Sequence, residues 1–84
     1  MSEMNVRVLV FAAAREVVGT SELALTLAVG ATAGDALDAL CARWPGLAPY
    51  AGSLRLAVNG DYVGREWGLV AGDEVAVIPP VAGG

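Results

Sequence analysis

The 84-residue chain contains no lysine and no histidine, and its only cysteine is Cys41. It therefore has no imidazole base or metal ligand, no Schiff-base lysine and no phosphate-loop lysine. We expect no metal site and no bound cofactor. A single cysteine cannot form an internal disulfide, which is typical of a reducing compartment. Most ordinary enzyme active sites are thus excluded from the chain itself.

Long apolar runs and basic runs are also missing. The longest uninterrupted apolar stretch, Val8 to Ala14, is far shorter than the ~20 residues that a membrane-spanning helix needs. The first residues carry no basic region of the kind found in export signals. The net charge is -4, with nine acidic residues against five arginines, which disfavours nucleic acid and allows a basic protein surface as partner. We expect a cytoplasmic protein with neither a membrane nor a nucleic-acid partner.

Alternating hydrophobicity predicts two strands in the first third of the chain. Val6, Val8 and Val10 share one face of the first strand, and Leu9 and Phe11 share the other. The second strand has its apolar positions at Leu23, Leu25, Leu27 and Val29. We predict that a loop around Gly19 joins the two strands into a hairpin.

A change to helical periodicity comes next. Thr32 can cap a helix in which Asp35 is the third residue, and Pro45 ends it. The predicted buried stripe of this helix consists of Ala33, Leu37, Leu40 and Trp44. Cys41 lies within the same stripe, so we interpret it as a core residue and not as a reactive thiol.

The last third reads as a loop and three strands. The stretch GLAPYAGS is predicted to be loop, and Asn59-Gly60 favours a tight turn between a strand and a short strand. Leu54, Leu56 and Val58 are expected to face the core. Asp73 is interpreted as an exposed turn residue before the last strand, in which Val75 and Val77 alternate with Ala76 and Ile78.

The element order is strand, strand, helix, strand, short strand, strand, which is the order of the β-grasp, or ubiquitin-like, fold. We predict an α+β domain over residues 1–84, with a mixed sheet of about five strands and one main helix on one face. The first and last strands then lie side by side at the centre. On the uncovered face, Leu9, Phe11, Ala76 and Ile78 form an apolar patch, which is typical of a protein interface.

Residues 79–84, PPVAGG, are predicted to form an extended functional tail. Pro79 and Pro80 cannot donate hydrogen bonds to a sheet, so they end the last strand and project the remaining residues away from the domain. Gly83 and Gly84 lack Cβ atoms and can pass through a narrow channel. Six residues at about 3.1 Å each reach ~18 Å.

Three stretches resemble one known family: LVFAAAREVVG, AVNGDYV and, most specifically, LVAGDEVAVIPPVAGG. The resemblance extends over nearly the whole chain. In these stretches the sequence resembles the small subunit of molybdopterin synthase, within the ubiquitin-like sulfur carriers. Carriers for thiamine synthesis share the terminal Gly-Gly but are usually shorter and lack the proline pair.

The resemblance implies chemistry at Gly84. A separate ubiquitin-activating-type enzyme would adenylate its carboxylate with ATP, and a cysteine desulfurase or rhodanese-like sulfur donor would convert it to a thiocarboxylate. The tail, with Pro79, Pro80, Val81, Ala82 and Gly83, would then enter the large subunit of a heterotetrameric synthase. There its sulfur would attack a cyclic pyranopterin monophosphate precursor of the molybdenum cofactor. The chain would be an enzyme subunit that is not catalytic alone.

The resemblance also implies an interface. Phe11, Tyr62 and Ile78 match positions with which the family contacts the large subunit, although relatives often have an aromatic residue where this chain has Ile78. Two alternatives stay open. One is a sulfur carrier for another pathway, either thiamine thiazole synthesis or tRNA thiolation. The other is a non-catalytic ubiquitin-like modifier or binding module.

Overall fold

The computed structural model describes residues 2–80 of the chain. In chain order, the elements are β1 (Glu3–Val10), α1 (Ala12–Val18), β2 (Glu22–Ala28), α2 (Ala33–Arg43), a 3₁₀ helix (Pro45–Tyr50), β3 (Arg55–Val58), β4 (Asp61–Val63) and β5 (Glu74–Ile78). No helix among these residues is long and apolar enough to cross a membrane.

The strands form one five-stranded mixed sheet in the order β2-β1-β5-β3-β4. β1 and β5 are parallel neighbours at its centre, and the other three pairings are antiparallel. The predicted sheet and the central position of the first and last strands are therefore confirmed. The Asn59-Gly60 turn is confirmed as well, because both residues have the positive φ angles, 51° and 92°, that join tightly paired strands.

The core lies between one face of this sheet and the helices. Val8, Val75 and Val77 on the two central strands are fully buried, and they belong to the same apolar cluster as Leu37 and Leu40 of α2. Branched residues at alternate strand positions suit such a half-buried sheet, and the i, i+3 pair on α2 suits a helix lying across it. The predicted inward faces of β1, β5 and α2 are confirmed.

The start of α2 is closed by hydrogen bonds from its own cap and from a distant loop. The Asp35 N–H donates to Thr32 Oγ1 at 3.2 Å, and the Thr32 N–H donates to Asp35 Oδ2 at 2.9 Å. The next two amides, Ala33 and Gly34, donate to the carbonyls of Trp67 and Arg65. The helix cap predicted at Thr32 is confirmed, the Asp35 side chain completes a capping box, and the amides of this first turn already have partners.

Two segments predicted to be loop are helical. Residues 12–18 form α1, so β1 and β2 pair across a helix and not across the predicted loop around Gly19. The i, i+4 pair Ala14 and Val18 is buried, and Gly19 ends α1 with a left-handed φ of 87°. The GLAPYAGS stretch contains most of the 3₁₀ helix, whose Leu47 is fully buried.

Three single-residue predictions need correction. Val29 is exposed because β2 ends at Ala28, one residue before it. Trp44 is only half-buried, since α2 ends at Arg43, one residue before it. Asp73 does belong to a turn but is buried: its carboxylate accepts hydrogen bonds from the Val70 N–H and from Asn59 Nδ2, both at 2.9 Å.

Candidate functional site

The face of the sheet turned away from the core presents an apolar row across four strands. Leu9 of β1 pairs with Ala76 of β5, which pairs with Ala57 of β3, which pairs with Tyr62 of β4. Paired residues lie on the same face of a sheet, so these four side chains belong to one surface. We call it the open face. The predicted meeting of Leu9 and Ala76 is confirmed.

The open face ends at the point where the chain leaves the sheet. Ile78, the last residue of β5, pairs with Arg55 of β3, and a shallow cleft is lined by these two residues together with Tyr62, Pro79 and Pro80. Ile78 and Pro79 are half-buried, whereas Pro80 is exposed. We call this cleft the tail root, because residues 81–84 continue from it.

Phe11 lies across β5 from the tail root, at the junction of β1 and α1. Its N–H donates to the Val77 carbonyl at 3.3 Å, and this hydrogen bond holds the junction against the end of β5. The next residue, Ala12, has a φ of 50°, an uncommon value for a residue with a Cβ, and the chain turns there into α1. The Phe11 side chain remains 45% exposed.

The structure thus brings two of the three predicted interface residues into one cleft and the third to the other side of β5. Tyr62, at 65% exposed, is among the most exposed large apolar side chains of residues 2–80. Large apolar side chains that remain exposed to water indicate a contact surface for another protein. The predicted tail residues Val81, Ala82, Gly83 and Gly84 lie outside the described residues.

The opposite end of the open face is charged. Arg7 of β1 pairs in register with Glu74 of β5, and its guanidinium bonds the Glu74 carboxylate and lies 3.4 Å from Glu22 Oε2. The hydrogen bond to Glu74 and the charges of Glu22 and Glu74 raise the pKa of Arg7. Further along, Thr26 donates to Asn5 at 2.8 Å. Apart from Arg55, the open face is therefore apolar near the tail root, and it is polar away from it.

Cys41 is half-buried against the core, in agreement with the predicted structural role. Burial raises the pKa of its thiol, the Asp38 carboxylate raises it further, and Arg65 opposes both. A thiol with a raised pKa is a weak nucleophile at neutral pH. Within residues 2–80, no group of three or more acidic or cysteine side chains is placed to hold a metal ion.

Sequence reasoning missed Arg55 as a site residue. It lies on β3 with its guanidinium carbon 5.8 Å from the centroid of the Tyr62 ring. The signal was present in the strand alternation, since Leu56 and Val58 face the core and Arg55 and Ala57 must then lie on the open face. Its neighbours at the tail root come from two other strands, so sequence spacing alone does not bring them together.

The sequence comparison agrees with this geometry. The model of the ThiS family matches residues 8–84, a range that begins within β1 and includes β5 and the tail. The chain belongs to the ThiS family. The chain is similar to the molybdopterin synthase sulfur carrier subunit of Arabidopsis thaliana, with 36% identity over 99% of this chain and 86% of that protein.

Solved structures confirm the fold of this ThiS family member. The crystal structure of SAMP1 from Haloferax volcanii is 32% identical, covers 95% of this chain and 99% of that one, and superposes with a TM-score of 0.85. A complex of subunits 1 and 2 of molybdopterin-converting factor from Helicobacter pylori contains a chain that is 24% identical, with a TM-score of 0.68 over 96% of this chain and 100% of that one. The fold is the predicted ubiquitin-like β-grasp.

Proposed function

We propose that this chain is the sulfur carrier subunit of molybdopterin synthase. One observation carries the proposal: exposed apolar side chains, Phe11 and Tyr62, flank the strand from which the tail departs. A partner that covers the open face is thereby placed to receive the tail. The name of the Arabidopsis thaliana relative, which is similar over 99% of this chain, supports this choice of pathway.

The reacting group in this proposal is the carboxylate of Gly84. A carboxylate is a poor electrophile, so a separate ubiquitin-activating-type enzyme joins it to the AMP portion of ATP, releasing pyrophosphate. The terminal sulfur of a persulfide on a cysteine desulfurase or a rhodanese-like donor then forms the C–S bond as the acyl–oxygen bond to AMP breaks and AMP leaves. A second thiol cleaves the resulting acyl disulfide by forming a disulfide with the donor cysteine. The product is a thiocarboxylate, and ATP is a substrate of the partner, not a cofactor of this chain. We place these steps in the cytoplasm, where the lone Cys41 stays reduced.

The large subunit is the proposed acceptor. There the thiocarboxylate sulfur attacks the cyclic pyranopterin monophosphate precursor and takes the place of an oxygen substituent on the attacked carbon. Water then hydrolyses the thioester that joins the precursor to Gly84, which leaves the sulfur on the precursor and restores the carboxylate, and two such deliveries supply the two sulfurs of the dithiolene. The residues of this chain hold and present the sulfur: Pro79 and Pro80 restrict the start of the tail, and Gly83 and Gly84 keep its end narrow. Lysine and histidine are absent from the chain, so groups that bind the precursor and move its protons belong to the partner.

Deletion of Gly84 tests the proposed site. We expect the shortened chain to fold as the full chain does, because the contacts of the core lie within residues 4–77. We expect no sulfur transfer to the precursor when the activating enzyme, the sulfur donor and the large subunit are present. The reason is that the terminal carboxylate of the shortened tail no longer reaches the groups with which it must react. Transfer at the full rate by the shortened chain would refute the assignment.

A ubiquitin-like protein modifier is the second candidate. It is favoured by the likeness, at a TM-score of 0.85, to SAMP1, whose full name is small archaeal modifier protein 1. A modifier would join the Gly84 carboxylate to amines of other proteins and not to sulfur. Since this chain has no lysine, it cannot form lysine-linked chains with itself, and this favours the carrier. The two candidates differ in the atom bound to the Gly84 carbonyl carbon.

A further inference from the structure

Arg55 is a cation at the tail root, surrounded mainly by apolar groups. Its Cα pairs with that of Ile78, its guanidinium lies over the Tyr62 ring at 5.8 Å, and it lines the cleft with Pro79 and Pro80. A guanidinium stacked on an aromatic ring keeps its planar edge of N–H donors available. The position therefore combines an apolar contact surface with an open set of hydrogen-bond donors.

Among the residues that the structure describes, no ion pair includes Arg55. Arg7 is bridged to Glu22 and Glu74, and Arg65 is bridged to Asp38 at 2.9 Å. Within residues 2–80, no carboxylate oxygen lies within 4.0 Å of the Arg55 guanidinium nitrogens. Although the chain as a whole has a net charge of -4, the tail-root end of the open face thus presents a positive charge that no carboxylate of residues 2–80 pairs with.

A partner that covers Tyr62 and Ile78 must also remove water from Arg55. Burying a cation without an opposite charge is unfavourable, whereas a carboxylate can meet the guanidinium with two parallel hydrogen bonds. We propose that the surface of the large subunit that covers the tail root carries an aspartate or glutamate side chain that pairs with Arg55. Arg55 then determines which protein the carrier docks on, and this inference rests on the proposed function.

The chain offers a matched control for this inference. Arg43, at the end of α2, is also exposed and also lies over an aromatic ring, with its guanidinium carbon 4.5 Å from the Trp44 centroid. The substitutions Arg55→Glu and Arg43→Glu change the net charge equally, but only the first is on the open face. A third variant, Arg55→Gln, removes the charge without reversing it.

The test is titration calorimetry with the large subunit of the same organism, at low and at moderate salt. We expect Arg55→Glu to raise Kd by about tenfold or more, Arg55→Gln by a smaller factor, and Arg43→Glu by less than about twofold. The difference between the wild-type chain and Arg55→Glu should shrink as salt increases, because salt screens the charge pair. Thermal unfolding of each variant, followed by circular dichroism, verifies that the fold is retained. If Arg55→Glu does not fold, the affinity of Arg55→Gln is compared with that of the wild-type chain instead.

Two results would overturn the inference: unchanged affinity in both Arg55 variants, or equal losses in Arg55→Glu and Arg43→Glu. The latter would show a general effect of charge and not a contact at the tail root. Failure of the wild-type chain to bind the large subunit is a different result, because it would contradict the proposed function and with it this inference. The wild-type titration therefore separates the two failures.

Discussion

Two faces of the same central strands differ in what covers them. On β5, Val75 and Val77 are 0% exposed under the helices, while Ala76 and Ile78 alternate with them and remain half-buried on the open face. On β1, Val8 and Leu9 show the same division. Because successive side chains of a strand point to opposite faces, one strand can stabilise the fold with one set of residues and present a binding surface with the next. Stability and partner binding should therefore respond to different residues of the same strand.

Substitution of adjacent β5 residues should give the largest contrast. Val77→Asp puts a charge without a partner into the core, at a cost of about 3–5 kcal/mol, which is comparable to the total stability of a small domain. Ile78→Asp places the same charge on the open face, opposite Arg55. In thermal unfolding followed by circular dichroism, we expect the first variant to lose its cooperative transition and the second to keep it. Similar transitions in both variants would contradict the division between the faces.

Phe11→Asp should separate binding from stability. Aspartate is a favoured residue at the start of a helix, and Phe11 occupies that position in α1, so we expect the fold to be retained. Affinity for the large subunit should fall by about tenfold or more, because a charge would be desolvated in an apolar contact. Tyr50→Asp is the control, since Tyr50 is similarly exposed, at 42% against 45%, but belongs to the 3₁₀ helix. Equal losses of affinity in the two variants, measured by calorimetry, would argue against Phe11 as part of the interface.

Gly34→Ala tests the packing between α2 and the loop after β4. A Cβ on Gly34 would lie 2.8 Å from the Arg65 Cβ, so the helix or the loop must shift. We expect a loss of about 1–3 kcal/mol in the free energy of unfolding, measured with urea, although alanine is the better helix former. At Gly52, a Cβ would meet nothing within 4 Å, so Gly52→Ala should change stability by less than about 0.5 kcal/mol. A stabilising effect at Gly34 would show that the contact is not tight.

Cys41→Ala should have the smallest effect. Its thiol has a raised pKa and lies against the core, so we expect the rate of sulfur transfer in the reconstituted synthase reaction to be unchanged. Loss of transfer in a variant that still folds would make Cys41 the sulfur-bearing residue in place of Gly84.

The sequence predicts this fold best where local pattern and tertiary structure agree. Valine alternation predicts the two central strands, Thr32 with Asp35 predicts the start of α2, and Asn59-Gly60 predicts the turn. The sequence does not predict α1 for two reasons. The residue before this helix, Phe11, makes no side-chain cap, and the helix is only seven residues long. Leu47 belongs to a segment whose local pattern is that of a loop, and its burial is determined by tertiary packing alone.

The candidate site divides in the same way. Strand parity is enough to place Ile78 on the open face, since it requires only the alternation within β5. Strand alternation alone does not identify Arg55 as a site residue. Its place at the tail root depends on pairing with Ile78 and on the ring of Tyr62, which come from other strands. Register between strands distant in sequence is set by the whole sheet, so the neighbours of a surface residue are the least predictable part of the site.

The assignment as a sulfur carrier is tested most directly by the intact mass of the chain after co-expression with its activating enzyme and a sulfur donor. We expect a species in which one oxygen is replaced by sulfur, and fragmentation should place the exchange on Gly84. Deletion of Gly84 should remove that species. A chain that keeps its ordinary mass, or that is recovered only as adducts on lysines of other proteins, would contradict the assignment as a sulfur carrier.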